Sequence, residues 1–313
     1  MIKAAGLMLL ALAFPAGAFE LAFPADCDLG ETCFIQQYMD HDPGPAATDF
    51  TCGPLVYNGH FGTDIALENR AQMQAGVAVL AAGPGTVKGL RDGTADFAPY
   101  LPGQNCGNGV VVDHGGGWET QYCHLRQGSV AVSVGQAVDT GTVLGMIGQS
   151  GQADFPHLHL SLRRRGAEID PFAPNAPTTC GPNPAPGLWS APIRYVPGGI
   201  ISIGLTQAIP DYDSIKAGLP SPDLASTAPA LVVWAHVYGA RAGDALVINI
   251  TGPQGDIITE RIVLEKTQAQ LFRAVGKKLH AAVWPTGPYT GRVTMLRTGQ
   301  QIDAETLQIT VKN

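Results

Sequence analysis

His157-Leu158-His159 places two imidazoles two residues apart. On an extended strand alternate side chains share a face, so His157 and His159 project together while Leu158 and Leu160 face the other way. Far upstream, His60 and Asp64 lie four residues apart. Two imidazoles joined by a distant histidine and a carboxylate supply the nitrogen and oxygen donors of a zinc site. Three such ligands, with a position left for water, are the pattern of catalytic zinc. A further imidazole, His124, closes the run Gln121-Tyr122-Cys123-His124-Leu125. Each motif alone is more often structural than metal-binding; together in one chain they reverse that expectation.

The elements that must hold this constellation are short strands joined by glycine turns. Candidates are Val77–Leu80, Gly85–Gly89, Val110–Val112, Thr120–Tyr122, Val143–Ile147 and Leu158–Leu162. Val110 to Leu125, turning at Gly115-Gly116-Gly117, reads as a β-hairpin. Arg91 to Asn108, rich in Gly, Pro and Asp, reads as a long inserted loop of the kind that often rims a functional site. Residues 19–50 form an irregular, cysteine-containing lead-in, and 51–175 the domain that carries the histidines. Residues 176–199 are a Pro-rich, semi-rigid linker. Residues 200–313 again read as strands, Ala230–Val237, Ala245–Ile250, Tyr289–Leu296 and Thr306–Val311 among them. Their spacing indicates an immunoglobulin-like β-sandwich, with Tyr289 a candidate tyrosine-corner residue. The fold class is therefore all-β.

The net charge is -7, from 19 Lys and Arg against 26 Asp and Glu, which argues against a nucleic-acid-binding surface. Residues 1–18 read as a signal peptide: Lys3, an apolar stretch from Ala4 to Phe14, then Ala16-Gly17-Ala18 as the cleavage site, with Phe19 opening the mature chain. The apolar run is shorter than the ~20 residues of a spanning helix, so no stable membrane anchor is expected. In an exported chain, the six cysteines suggest disulfides rather than metal ligation, and there is no Cys-x-x-Cys pair. Cys106–Cys123 is the favoured pair because the two flank the hairpin, and Cys180 is a candidate to tie the linker back to the first domain.

Gly59-His60-Phe61-Gly62-Thr63-Asp64, then Gln121-Tyr122-Cys123-His124-Leu125, then Phe155-Pro156-His157-Leu158-His159-Leu160 stand in the order of three family motifs. They are His-x-x-x-Asp, a His-Leu ending a Tyr-containing strand, and His-x-His. Residues 50 to 175 thus resemble the lysostaphin/LytM-like zinc metallopeptidases, peptidoglycan endopeptidases of bacterial cell walls. The resemblance implies an antiparallel, barrel-like sheet (a duplicated hybrid motif) with the site in a groove over one face. It implies Zn2+ as cofactor, with His60, Asp64 and His159 as ligands. His124 and His157 stand beside the metal as catalytic residues, with their division of labour open. Some members of the family have lost their ligands and act as activators; here every ligand and both flanking histidines are retained. Two departures bear on the groove: Asp154-Phe155-Pro156 replaces a small-residue run, and the Arg91–Asn108 loop is long.

The leading functional reading is an exported zinc endopeptidase cutting peptidoglycan cross-links or stem peptides, in the periplasm or secreted. The alternatives are a latent or non-hydrolytic groove protein that docks another cell-wall factor, and a secreted protease of Gly-rich proteins. A protein regulator would engage the C-terminal sandwich. Among other residues, His41, which between Asp40 and Asp42 tempts as a ligand, is expected to face solvent, with capping the cleft as the alternative. His114 is expected to be a turn or supporting residue, His236 and His280 to be structural, and Trp118 to pack on the hairpin rather than line the groove.

Overall fold

The computed structural model describes residues 19–99, 101–175, 179–181 and 187–313; the proposed signal peptide and parts of the Pro-rich linker lie outside them. The histidine-bearing domain is built on one antiparallel sheet of eight strands. In chain order its strands are β1 (Cys33–Gln37) and β2 (Thr63–Leu67), β4 (Gly85–Arg91), β5 (Asn108–Gly115), β6 (Trp118–Leu125) and β7 (Ala137–Val138), then β9 (His157–Arg164) and β10 (Ala167–Ile169). Their spatial order is β1-β2-β9-β6-β5-β4-β7, with β10 paired to β9. A separate pair, β3 (Ala78–Leu80) and β8 (Val143–Met146), completes the domain with one short helix, α1 (Arg70–Ala75).

Alternation explains why the sheet holds. On β9, Leu158, Leu160 and Leu162 are buried in a core with Ile65 and Leu67 of β2, Val110 and Val112 of β5, and Tyr122 of β6. The opposite face of β9 is thereby left to His157, His159, Ser161 and Arg163. The expected hairpin is present: β5 and β6 pair antiparallel and turn through Gly116 and Gly117, both at positive φ (61° and 85°), as a tight hairpin turn requires.

The lead-in is less irregular than the sequence suggested, because it contributes β1, which adds to the sheet edge at β2. Cys33-Phe34-Ile35-Gln36-Gln37 lacks alternation since both its faces are buried: Cys33 packs into the first core, Phe34 against the second domain and Ile35 beside Tyr38. His41 is also a correction. It is buried, not solvent-facing, and its Nε2 lies 2.7 Å from the carboxylate of Asp170, joining the lead-in to the end of the domain. Three disulfides join Cys27 to Cys33, Cys52 to Cys180 and Cys106 to Cys123. The second links the linker to the first domain.

Beyond the linker, β11 (Gly199–Thr206), β13 (Ala230–Ala240) and β16 (Gln268–Lys278) form a three-stranded sheet. The facing five-stranded sheet contains β12 (Leu224–Ala225), β14 (Ala245–Gly252), β15 (Gly255–Val263), β17 (Gly287–Arg297) and β18 (Gln300–Lys312). Residues of both sheets share one core, with Leu231, Val233 and Val237 meeting Leu246, Ile248, Val293 and Met295. Tyr289 is buried and its hydroxyl donates to the carbonyl of Pro285, a tyrosine-corner bond. β13 is buried on both faces because its second face forms the seam with the first domain, where Tyr238 packs against Phe34. Gln36 and Gln270 hydrogen-bond across the same seam. Among the described residues, no helix is long and apolar enough to cross a membrane.

Candidate metal centre and groove

Strand pairing assembles the five candidate residues. Asp64 on β2 lies opposite His159 on β9, which lies opposite Cys123 on β6. His124 follows Cys123, and His60 stands in the turn before β2. Asp64 Oδ1 is 3.0 Å from His60 Nε2 and 2.8 Å from His159 Nδ1, and the two imidazole nitrogens are 3.1 Å apart. The donor atoms of His60, Asp64 and His159 all lie within 4.8 Å of one another. His157 Nε2 stands 3.7 Å from Asp64 Oδ1. The ring centroids of His124 and His157 are 4.5 Å apart, and those of His124 and His159 5.9 Å.

The surrounding bonds fix which nitrogen of each ring carries its lone pair. His60 Nδ1 is 2.6 Å from the carbonyl of Tyr38, so Nδ1 holds the proton and Nε2 turns a lone pair toward Asp64. Ser161 Oγ donates to the carbonyl of Phe61 and therefore accepts from His159 Nε2 at 3.0 Å. His159 Nδ1 is then the bare nitrogen, also aimed at Asp64. Two imidazole lone pairs and a carboxylate oxygen thus converge on one point. Without a cation, that arrangement is repulsive unless a proton is added. The nitrogen and oxygen donor set, and the outward hydrogen bond on each histidine, fit a zinc ion.

His124 Nδ1 faces the carbonyl of Ser150 at 2.8 Å and His157 Nδ1 that of Phe155 at 2.9 Å, so both present bare Nε2 atoms. His124 sits at a positive φ of 63°, a strained conformation for a non-glycine residue. Two things hold it there: its N–H donates to the carbonyl of Cys106, and Cys106 is disulfide-bonded to the preceding Cys123.

Electrostatics follow from burial and neighbours. Burial alone pushes the Asp64 carboxyl up; an added proton on the surrounding His60, His157 and His159 imidazoles, through its charge and the hydrogen bond it makes, holds the carboxyl well below the usual range. For His60, burial lowers the pKa and the Asp64 carboxylate more than offsets it. Burial, then the adjacent His157 and His159, pushes His124 well below its ordinary value, and burial also lowers His157. Both flanking imidazoles are therefore neutral near pH 7 and able to accept a proton.

His60, His124 and His159 line an open groove of about 360 Å³, with Tyr57 and Phe61 on one wall and Gln121, Ser161, Arg163 and Glu168 along it. His157 is not among the lining residues. A larger cavity of about 480 Å³ lies between the lead-in, the linker and the second domain, away from the histidines. Backbone approach at the groove is close: a Cβ on Gly62 would stand 2.6 Å from the His159 ring. Sequence reading missed Ser161, Tyr38 and Cys106 as supports of the site. Ser161 was within reach, because it shares a strand face with His159; the Tyr38 carbonyl left no sequence signal. His114 bonds the carbonyl of Pro84 and the hydroxyl of Thr120, a structural role. Trp118 stacks on Phe19 at 4.3 Å, with Arg164 over its ring.

Residues 58–171 match the model for Peptidase family M23. The chain is 35% identical over 118 residues to the peptidoglycan DD-endopeptidase ShyA of Vibrio cholerae, covering 38% of this chain and 23% of that protein. It is 35% identical over 92 residues to the DD-carboxypeptidase/endopeptidase Mpg of Neisseria meningitidis, covering 29% of this chain and 20% of that one. The chain thus spans less than a quarter of the length of either relative. Among solved structures, the catalytic domain of the prophage-encoded M23 protein EnpA from Enterococcus faecalis aligns at 21% identity and a TM-score of 0.34, over 53% of this chain and all of that one.

Proposed function

We propose that this chain, which belongs to peptidase family M23 through residues 58–171, is an exported zinc endopeptidase that hydrolyses peptide bonds in peptidoglycan cross-links or stem peptides. The observation that carries the reading is the convergence of the bare nitrogens of His60 and His159 with the Asp64 carboxylate at the floor of an open groove, with the neutral His124 beside them. His60, Asp64 and His159 would hold the metal. Zinc bound there supplies Lewis acidity, making a water more acidic and a peptide carbonyl more electrophilic. The rest of the chemistry belongs to the chain's own side chains. His124, which lines the groove, accepts the proton of the attacking water at Nε2 and returns it to the leaving amine. His157 lies behind it, with Nε2 3.7 Å from Asp64 Oδ1, and on taking up a proton there it becomes an imidazolium able to stabilise developing negative charge. Tyr57 and Phe61 flank the groove and position an extended peptide against the β9 face.

Three disulfides fit an oxidising compartment outside the cytoplasm, the periplasm being our reading. The C-terminal sandwich, which we read as immunoglobulin-like, serves as an accessory module and a surface for a protein regulator. The test is digestion of purified peptidoglycan by the mature protein, with fragments identified by mass spectrometry and His124→Ala alongside. New peptide ends from the wild type alone support the reading. Absence of products from zinc-loaded wild type would contradict it and favour a docking role for the groove.

A further inference from the structure

Arg163 shares the groove face of β9 with His157, His159 and Ser161, and it lines the same groove as His124 and His159. Its guanidinium is held at two points. Nε donates to Glu168 Oε1 at 2.7 Å, and Nη1 donates to Gln121 Oε1 at 2.8 Å. Glu168 lies directly opposite Arg163 in the β9–β10 pairing, and Gln121 opposite Ser161 in the β6–β9 pairing. The Arg163 side chain keeps 28% of its surface exposed, and its Nη2 donors have no protein partner among the described residues. A planar guanidinium fixed on two sides, with a donor edge left over, is preorganised for a planar oxyanion.

We propose that this end of the groove is a carboxylate subsite, in which Arg163, oriented by Gln121 and Glu168, binds a free carboxylate of the peptide substrate. The proposal rests on the reading of the groove as a peptidase site and adds the part of the substrate it recognises. Ser161 and Arg163 stand two and four residues along β9 from His159, roughly 7–13 Å of extended strand. The recognised carboxylate therefore lies about two to four residues from the scissile bond in an extended peptide. Either a C-terminal carboxylate or the side-chain carboxylate of a diamino diacid supplies this chemistry. Converting it to a carboxamide keeps the shape and removes the charge.

The test uses zinc-loaded full-length protein carrying His124→Ala, so that binding is read without turnover. Two wall-derived peptides differing only in carboxylate or carboxamide at that position are titrated calorimetrically. The carboxylate form should bind about tenfold or more tightly, the worth of a charge-assisted bond. Adding Arg163→Gln should bring the ratio of the two affinities close to one, and Arg163→Lys, which keeps the charge without the fork, should fall between. A ratio near one before Arg163 is changed overturns the proposal whether or not the variants fold. So does a ratio that Arg163→Gln leaves intact, which would reduce the network to a clip between β9 and β10. Wild-type digestion is scored in parallel. A chain that discriminates the peptides but hydrolyses neither keeps the subsite and sinks the peptidase reading, while hydrolysis without discrimination does the reverse.

Discussion

Ser161 supports the proposed metal centre without being one of its ligands. Its hydroxyl receives the His159 Nε2 proton and passes its own to the Phe61 carbonyl, which leaves Nδ1 bare and aimed at Asp64. Ser161→Ala removes that acceptor and frees the ring to rotate or change tautomer. Zinc affinity, measured by competition with a chromophoric chelator, should fall about 10–100-fold. An unchanged affinity would mean that packing alone orients the ring. The five residues that the fold brings together stood out in the sequence because of their spacing: histidines two apart on a strand, with another histidine and a carboxylate upstream. The Tyr38 carbonyl was not, since any residue supplies a carbonyl. His41 misled for a related reason. Its place in an irregular lead-in suggested a solvent-facing residue, yet its partner, Asp170, stands far away in sequence.

At the scale of the element, β6 and the loop before β5 are joined beside the candidate site. The Cys106–Cys123 disulfide and the bond from His124 N–H to the Cys106 carbonyl hold His124 in its strained backbone conformation. Replacing both cysteines with serine should therefore lower the hydrolysis rate while one zinc per chain is retained, because no ligand is touched. Stability should drop by about 3 kcal/mol from the freed loop, seen as a lower denaturation midpoint. Full activity in the double variant would show that the hydrogen bonds suffice. Hairpin and strand positions in the sequence were readable from glycine turns and alternation, as β5, β6 and β9 show. Strand β1 was hidden because burial on both faces erases alternation. Strands β15 and β16 were hidden for the opposite reason: their polar, half-exposed residues carry little apolar pattern.

Across the whole molecule, the two domains share a seam lined by β13. His236 lies in it, buried, with Nε2 3.2 Å from the Tyr212 hydroxyl and with Glu68, Arg70, Asp154, Lys216 and Gln270 around it. Burial pushes its imidazole down to about 4; a hydrogen bond with Gln270 opposes the shift and Lys216 adds to it. The unfolded chain, with a histidine pKa near ~6.5, binds the extra proton first. The stability this neutral histidine contributes is complete above about 6.5 and is lost as pH falls toward 4. Melting curves between pH 7 and 4 should therefore slope less steeply in His236→Gln than in the wild type. Parallel slopes would assign the acid sensitivity to other groups. Phe155 couples the seam to the site, since it packs on the Phe34–Tyr238 cluster and its ring lies 4.5 Å from that of His157. The apolar run of β13 was readable as a strand, but that its second face meets another domain was not written in it.

We propose that His60, Asp64 and His159 together hold one catalytic zinc in this groove. The most direct test is to strip the mature protein with a chelator, assay peptidoglycan hydrolysis, and titrate zinc back in wild type and in Asp64→Ala. Activity should disappear on stripping and return in the wild type as zinc reaches one equivalent per chain, while Asp64→Ala neither holds the metal nor recovers. Hydrolysis that survives complete removal of zinc, or that returns equally in Asp64→Ala, would contradict the proposal.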